Sequence, residues 1–186
     1  NPDCIVTEDT LERMVEALRK DPLAGMAGCL IRNPDGSEQP GCRRSLPTPW
    51  NSLVRVLHLD RLLGRRRYLE QVNLLHNPLP EGPVHVEAIS GAFMLVRREA
   101  LNHAGVMDDH YFLHCEDLDW CKTFQDAGWK ILFVPGVEIV HHKGACSARR
   151  PVFVLWHKHR GMVRFYRKFL SRQYSTPFNL FVIMGV

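Results

Sequence analysis

The chain has 186 residues, 45% hydrophobic and 24% charged. These proportions exclude a disordered segment, a collagen-like repeat and a polytopic membrane protein, and a chain of this length can bury about 70% of its unfolded surface without staples. The formal charge of +4 is unevenly placed: residues 143–186 hold nine Lys or Arg and no acid, and seven arginines lie between Arg43 and Arg67 against the single Asp60.

Thr7 or Asp9 is expected to cap a helix in which Leu11, Met14, Val15 and Leu18 recur at helical spacing, ended by Asp21-Pro22. Gly25 to Arg32 reads as a buried strand, and Asn33-Pro34-Asp35-Gly36 is a strong turn signal. A Pro-rich connection leads to an expected helix from about Asn51 to Leu63, while Gly64 to Pro83 is polar and loop-like. Val84 to Val96, β-branched or small around Ser90-Gly91, predicts a strand, a kink and a second strand entering a short helix at Arg97 to Ala104. Glu116-Asp117-Leu118-Asp119 opens a helix that continues through Trp120, Phe124 and Ala127 and stops at Gly128. Two strands are expected next, Trp129 to Val134 and Val137 to His142, separated by a Pro135-Gly136 turn. A basic amphipathic helix follows over Val152 to Leu170. The apolar end, Pro177 to Val186, is half the roughly 20 residues that span a bilayer, and reads either as the start of a membrane segment or as an element packed on the core. Short alternating elements of both kinds indicate an α/β domain.

The six cysteines form no C-x-x-C pair, which speaks against a zinc ribbon or a secreted disulfide framework and for a reducing, cytosolic setting. No signal peptide is expected, since no basic segment followed by an apolar run opens the sequence, and the chain, starting at Asn1, is expected to be part of a longer polypeptide. The basic runs suit a solvated face, an anionic lipid surface or a pyrophosphate-bearing substrate. Nucleic acid is not expected as a partner, because no recognition-helix pattern, zinc finger or aromatic-rich strand accompanies the charge.

Among candidate chemical groups, the Glu116-Asp117-Leu118-Asp119 cluster can remove a proton or hold a metal, or can simply offset the macrodipole of its helix. His141 and His142 end a strand, so their rings face opposite sides and one at most shares a site with the carboxylates. An imidazole with one or two carboxylates suits Mn²⁺ or Mg²⁺ more than structural zinc. A zinc site among His110, His114, Cys115, Cys121, His141, His142 and Cys146 matches no standard spacing, and Cys115 lacks a recognisable base.

Taken in order, Gly91-Ala92-Phe93-Met94-Leu95-Val96-Arg97-Arg98-Glu99-Ala100-Leu101, then Gly105, Asp108, Tyr111-Phe112, Glu116-Asp117-Leu118-Asp119, Gly128-Trp129, Pro135-Gly136, Val140-His141 and Gly144 resemble the acceptor half of a family 2 glycosyltransferase. This is the inverting GT-A type, and the resemblance is to its rhamnosyltransferase-like branch. Asn1-Pro2-Asp3 resembles that family's metal-binding D-x-D. The resemblance runs from residue 1 to about 170 and implies a GT-A-like mixed sheet flanked by helices, without the N-terminal nucleotide-binding βαβ half.

The resemblance further implies a nucleotide-diphosphate sugar donor, possession of a divalent metal (Mg²⁺ or Mn²⁺), and a saccharide or lipid-linked saccharide acceptor. Asp117 would be the base, with Glu116 orienting the acceptor or the base. Asp3 is the implied metal ligand, with Asn1 and His141 beside it. Gly91, Ala92, Tyr111, Phe112, Asp119, Arg149 and Arg150 are the implied substrate-binding residues. Residues 1–150 are then the catalytic and acceptor-binding portion, and 151–186 a basic helix and apolar tail at the inner face of the cell membrane. The alternatives are an inactive carbohydrate- or membrane-binding module and a zinc-binding interaction domain. Relatives often carry an Arg where this chain has Thr123, and a Ser where it has Cys146.

Overall fold

The computed structural model describes residues 2–49, 74–142 and 150–186. In chain order these form β1 (Cys4–Ile5), α1 (Thr10–Lys20), β2 (Ala24–Arg32), β3 (Arg43–Arg44), a 3₁₀ turn (Leu74–His76), β4 (Val84–Val86), β5 (Ala88–Ile89) and β6 (Leu95–Val96). They continue with α2 (Arg98–Ala104), α3 (Glu116–Asp126), β7 (Lys130–His141), α4 (Pro151–Phe169), a second 3₁₀ turn (Ser171–Gln173) and α5 (Thr176–Gly185). The expected helix from about Asn51 to Leu63 lies outside the described residues.

A mixed sheet runs β1-β7-β2-β6. The two long strands, β2 and β7, are parallel, β6 is antiparallel to β2, and β1 and β4 both lie antiparallel along the far edge of β7. β3 and β5 form a separate two-stranded ribbon. Because successive strand residues face opposite sides, Ala27 and Leu132 join a core cluster with Met14 and Leu18 of α1, while their neighbours Met26 and Ile131 join Leu118, Cys121 and Phe124 of α3 and Phe165 of α4. The sheet is thus covered by helices on both faces.

Three expectations change. The buried stripe of α1 is Thr10, Met14 and Leu18, and Leu11 is 59% exposed. At about 100° per residue Leu11 falls beside that stripe rather than on it. Neither Thr7 nor Asp9 caps a helical N–H: Thr7 instead donates to Asp9 at 2.6 Å, and the end of α1 is closed by Arg97, which donates to the carbonyls of Leu18 and Asp21. The two strands expected around Pro135-Gly136 are one strand, β7, with a bulge: Cys29 faces Val134 and the next β2 residue, Leu30, faces Glu138. On the other edge β4 covers 131–133 and β1 covers 140–141, so the missing N–H of Pro135 falls in the gap between partners.

The apolar end is a helix, α5, tied to the body by Asn179, whose side chain donates to the Ser171 carbonyl at 3.0 Å. None of its side chains is buried, which corrects the expectation of a core-packed element. Among the described residues no helix is long and apolar enough to cross a membrane.

Candidate active site

The chain enters α3 through two consecutive left-handed residues, His114 (φ 67°) and Cys115 (φ 69°). Non-glycine residues avoid this region, so the turn is held by its surroundings. The surroundings are α4: a Cβ on Gly161 would lie 2.9 Å from the His114 carbonyl oxygen, so glycine there lets the helix backbone press against the turn. The result places Glu116 and Asp117 in the first turn of α3.

Asp117 is surrounded by donors. Its Oδ2 pairs with the Arg44 guanidinium from β3 and accepts the Gly91 N–H at 3.1 Å, and its Oδ1 accepts the Leu118 N–H at 2.8 Å. Gly91 packs closely against Asp117: a Cβ there would lie 3.3 Å from the Asp117 Cβ, a tight contact. Glu116 has one carboxylate oxygen buried without a protein partner, and burial raises its pKa above the ordinary glutamate value. Both carboxylates border a cavity of about 740 Å³. The same cavity is lined by apolar side chains, Leu155 and Met162 of α4 and Val182 of α5, and by Lys158 of α4.

A second cluster lies where β1 meets the end of β7. The pairing Cys4↔His141 places Asp3 beside His141, whose Nε2 is 3.3 Å from Asp3 Oδ2. Asp3, Cys4 and His141 offer ligand atoms within 4.8 Å of one another. The Cys4 thiol is engaged with the Ala92 carbonyl, and burial raises its pKa. What remains is one carboxylate and one imidazole, a hard oxygen and nitrogen set that fits Mn²⁺ or Mg²⁺. Asn1 lies outside the described residues.

A two-residue span joins the clusters. The Gly91 N–H reaches Asp117, and the next carbonyl, that of Ala92, accepts from Cys4 Sγ at 3.5 Å. Gly91, Ala92, Asp3, His141, Glu116 and Asp117 are therefore brought together.

Other expected residues are placed elsewhere. Asp119 is 2% exposed and accepts from Tyr111 Oη at 2.8 Å and Lys168 Nζ at 2.6 Å, so a direct substrate contact gives way to a structural role. Tyr111 shares that burial. Phe112 is exposed on a different cavity, of about 1010 Å³, where its ring meets Phe153 and His157. Arg150 is exposed at the start of α4, and Arg149 lies outside the described residues. Thr123, where relatives often carry Arg, bonds back to the Asp119 carbonyl within α3.

The thiol alternatives lose support. Burial pushes Cys115 and Cys121 up to about 12, so neither is a ready thiolate nucleophile, and both belong to the apolar core. The other group with ligand spacing among the described residues is Asp108, Asp109 and His110. There Arg164 and Lys168 already neutralise Asp108. Desolvation would raise the Asp108 pKa, but Arg164 and the His110 N–H outweigh it and hold the carboxyl well below its usual range.

A model described as glycosyltransferase-like family 2 matches residues 2–176. The chain belongs to that family. It is similar to the N-acetylglucosaminyl-diphospho-decaprenol L-rhamnosyltransferase of Mycobacterium tuberculosis, 33% identical over 164 residues, which cover 86% of this chain and 51% of that protein. It is also similar to the rhamnosyltransferase WbbL of Escherichia coli K12, 25% identical over 146 residues, covering 76% of this chain and 50% of that protein. The chain spans about half the length of the curated relatives it matches. The crystal structure of GalNAc-T7 with UDP, GalNAc and Mn²⁺ superposes with a TM-score of 0.52 at 17% identity, over 88% of this chain and 30% of that one. That likeness shows the fold to be GT-A.

Within this glycosyltransferase-family fold, two site residues carry no motif of their own. Arg44 stands in an Arg43-Arg44 pair whose members face opposite ways from β3: Arg43 is buried against Glu38, and Arg44 reaches Asp117. The signal was an adjacent arginine pair following a Gly-Cys step, but only the ribbon geometry tells which one turns toward the carboxylates. Gln39, buried beside His141, offered no signal beyond its place after the Asn33 turn.

Proposed function

We propose that the chain is the catalytic and acceptor-binding portion of an inverting glycosyltransferase that moves a sugar, rhamnose on the strength of the relatives, from a nucleotide diphosphate to a saccharide or lipid-linked saccharide. The observation that carries this reading is the Gly91-Ala92 span, which contacts the Asp117 carboxylate on one side and, on the other, Cys4, the residue that follows Asp3 and pairs with His141.

Asp3 and His141 would hold the divalent cation, which when bound supplies electrostatic stabilisation of the departing diphosphate. Asp117 takes the proton from the acceptor hydroxyl as that oxygen attacks the anomeric carbon. The bond from that carbon to the diphosphate oxygen breaks on the opposite face, and the configuration inverts. Arg44 and the Gly91 and Leu118 N–H groups hold the Asp117 carboxylate in one orientation for this transfer. Glu116 orients the acceptor. The apolar side chains that line the same cavity as these carboxylates support an acceptor whose sugar end lies at Asp117 and whose lipid end runs along Leu155, Met162 and Val182.

Calorimetric titration of the full-length protein with UDP and with dTDP, with and without Mn²⁺, tests the reading. Binding that depends on the metal is expected for one of the two. Failure of both would overturn it in favour of a carbohydrate- or membrane-binding module.

The residues from 151 on form the membrane-facing part of this reading, peripheral at the cytoplasmic leaflet. Val152 and Trp156 are 80% and 65% exposed on a segment rich in Lys and Arg and devoid of acids, and α5 exposes Leu180, Phe181 and Met184. Cosedimentation should show binding to anionic but not zwitterionic vesicles, weakening as salt is raised. Equal or absent binding to the two would reject the membrane contact.

A further inference from the structure

His141 is useful as a ligand only if its Nε2, the nitrogen that faces Asp3, carries an electron pair rather than a proton. The side chain that decides this is Gln39, 2% exposed on the loop that follows β2. Its Nε2 donates to the backbone carbonyl of His141 at 3.1 Å and to Asn33 Oδ1 at 2.9 Å. A backbone carbonyl can only accept, so the NH₂ end of the amide is fixed there. The other end, Oε1, therefore lies against His141 Nδ1 at 2.6 Å. A carboxamide oxygen also only accepts, so Nδ1 must bear a proton. In a neutral imidazole that leaves the electron pair on Nε2, 3.3 Å from Asp3 Oδ2.

We infer that Gln39 is a positioning residue that locks His141 in the Nδ1–H tautomer and so presents Nε2 as a ready-made metal ligand. The inference rests on the assignment of Asp3 and His141 to a divalent cation. The lock extends outward, since Asn33 is itself oriented by donating from its Nδ2 to Ser37 Oγ at 3.0 Å. The Asn33-Pro34-Asp35-Gly36 turn is thus the outer support of the ligand pair. An Nδ1–H donating to an amide oxygen fixes the ring orientation and raises the basicity of the opposite nitrogen.

Long-range proton–nitrogen correlation spectra of the metal-free full-length protein, at mildly alkaline pH, report the tautomer directly. The wild type should show a protonated Nδ1 and an unprotonated Nε2 for His141. The Nε2–H form in the wild type would overturn the inference whatever any variant does. Gln39→Met should release the ring to mixed tautomers and weaken Mn²⁺ binding roughly 10–100-fold, the usual effect of losing an outer-shell partner. A Gln39→Met protein with the wild-type tautomer and undiminished affinity would also overturn it. A wild type that has the Nδ1–H form yet binds no Mn²⁺ would reject the metal assignment and leave the tautomer lock supported.

Discussion

Asp117→Asn in the full-length protein is expected to lower the rate of sugar transfer about 10²–10⁴-fold, the range that a positioned general base contributes. The fold should survive. Asparagine has one acceptor oxygen where the carboxylate has two, so it keeps only one of the N–H bonds from Gly91 and Leu118 and loses the other together with the ion pair to Arg44, a local change beside the cavity. Thermal unfolding of the variant checks this separately from the rate. The donor KM should change little, because the substituted group meets the acceptor hydroxyl and not the diphosphate. Turnover within about tenfold of the wild type would remove Asp117 from the base role.

Asp3→Asn and His141→Ala are expected to act at the other end of the Gly91-Ala92 span. Each should weaken Mn²⁺ binding and slow transfer by about 10²–10³-fold, since a Lewis acid at a leaving diphosphate supplies several kcal/mol and each 1.36 kcal/mol is about tenfold in rate. Excess chelator should do the same to the wild type, reversibly. The two sets of variants separate the roles: Asp117→Asn should keep its Mn²⁺ affinity, whereas Asp3→Asn should lose it. Full turnover in the presence of chelator would sink the metal assignment.

Much of the fold could be read from local chemistry, because β2, α3 and α4 are marked by apolar runs, an acidic first turn and a Pro at the start of a basic helix. What failed were inferences that needed a neighbour. Pro135-Gly136 looks like a turn until β4 and β1 are seen to leave that stretch of the β7 edge unpaired. The site shows the same division. Asp3, His141 and Glu116-Asp117 stand in motifs with an order, so their positions carry information.

Asp119 was grouped with Asp117 by proximity in sequence, yet residues two apart on a helix point about 200° from each other. One carboxylate therefore borders the cavity, and the other is enclosed with Tyr111 and Lys168. Arg44 reaches a partner 73 residues away, a relation that no local pattern encodes. Gln39 is less legible still, because a glutamine has no reactivity to announce and acts only through the ring it faces.

The contact between Gly161 and the His114 carbonyl ties together two parts of the molecule that are distant in sequence. The helix that bears the positive charge of the C-terminal segment rests on the turn whose left-handed pair aims Glu116 and Asp117. A side chain added at 161 must either lift the helix or unwind the turn, so its effect would be registered as much in catalysis as in folding. The space between this helix and the turn that leads to the carboxylates is therefore fixed by the absence of a single side chain.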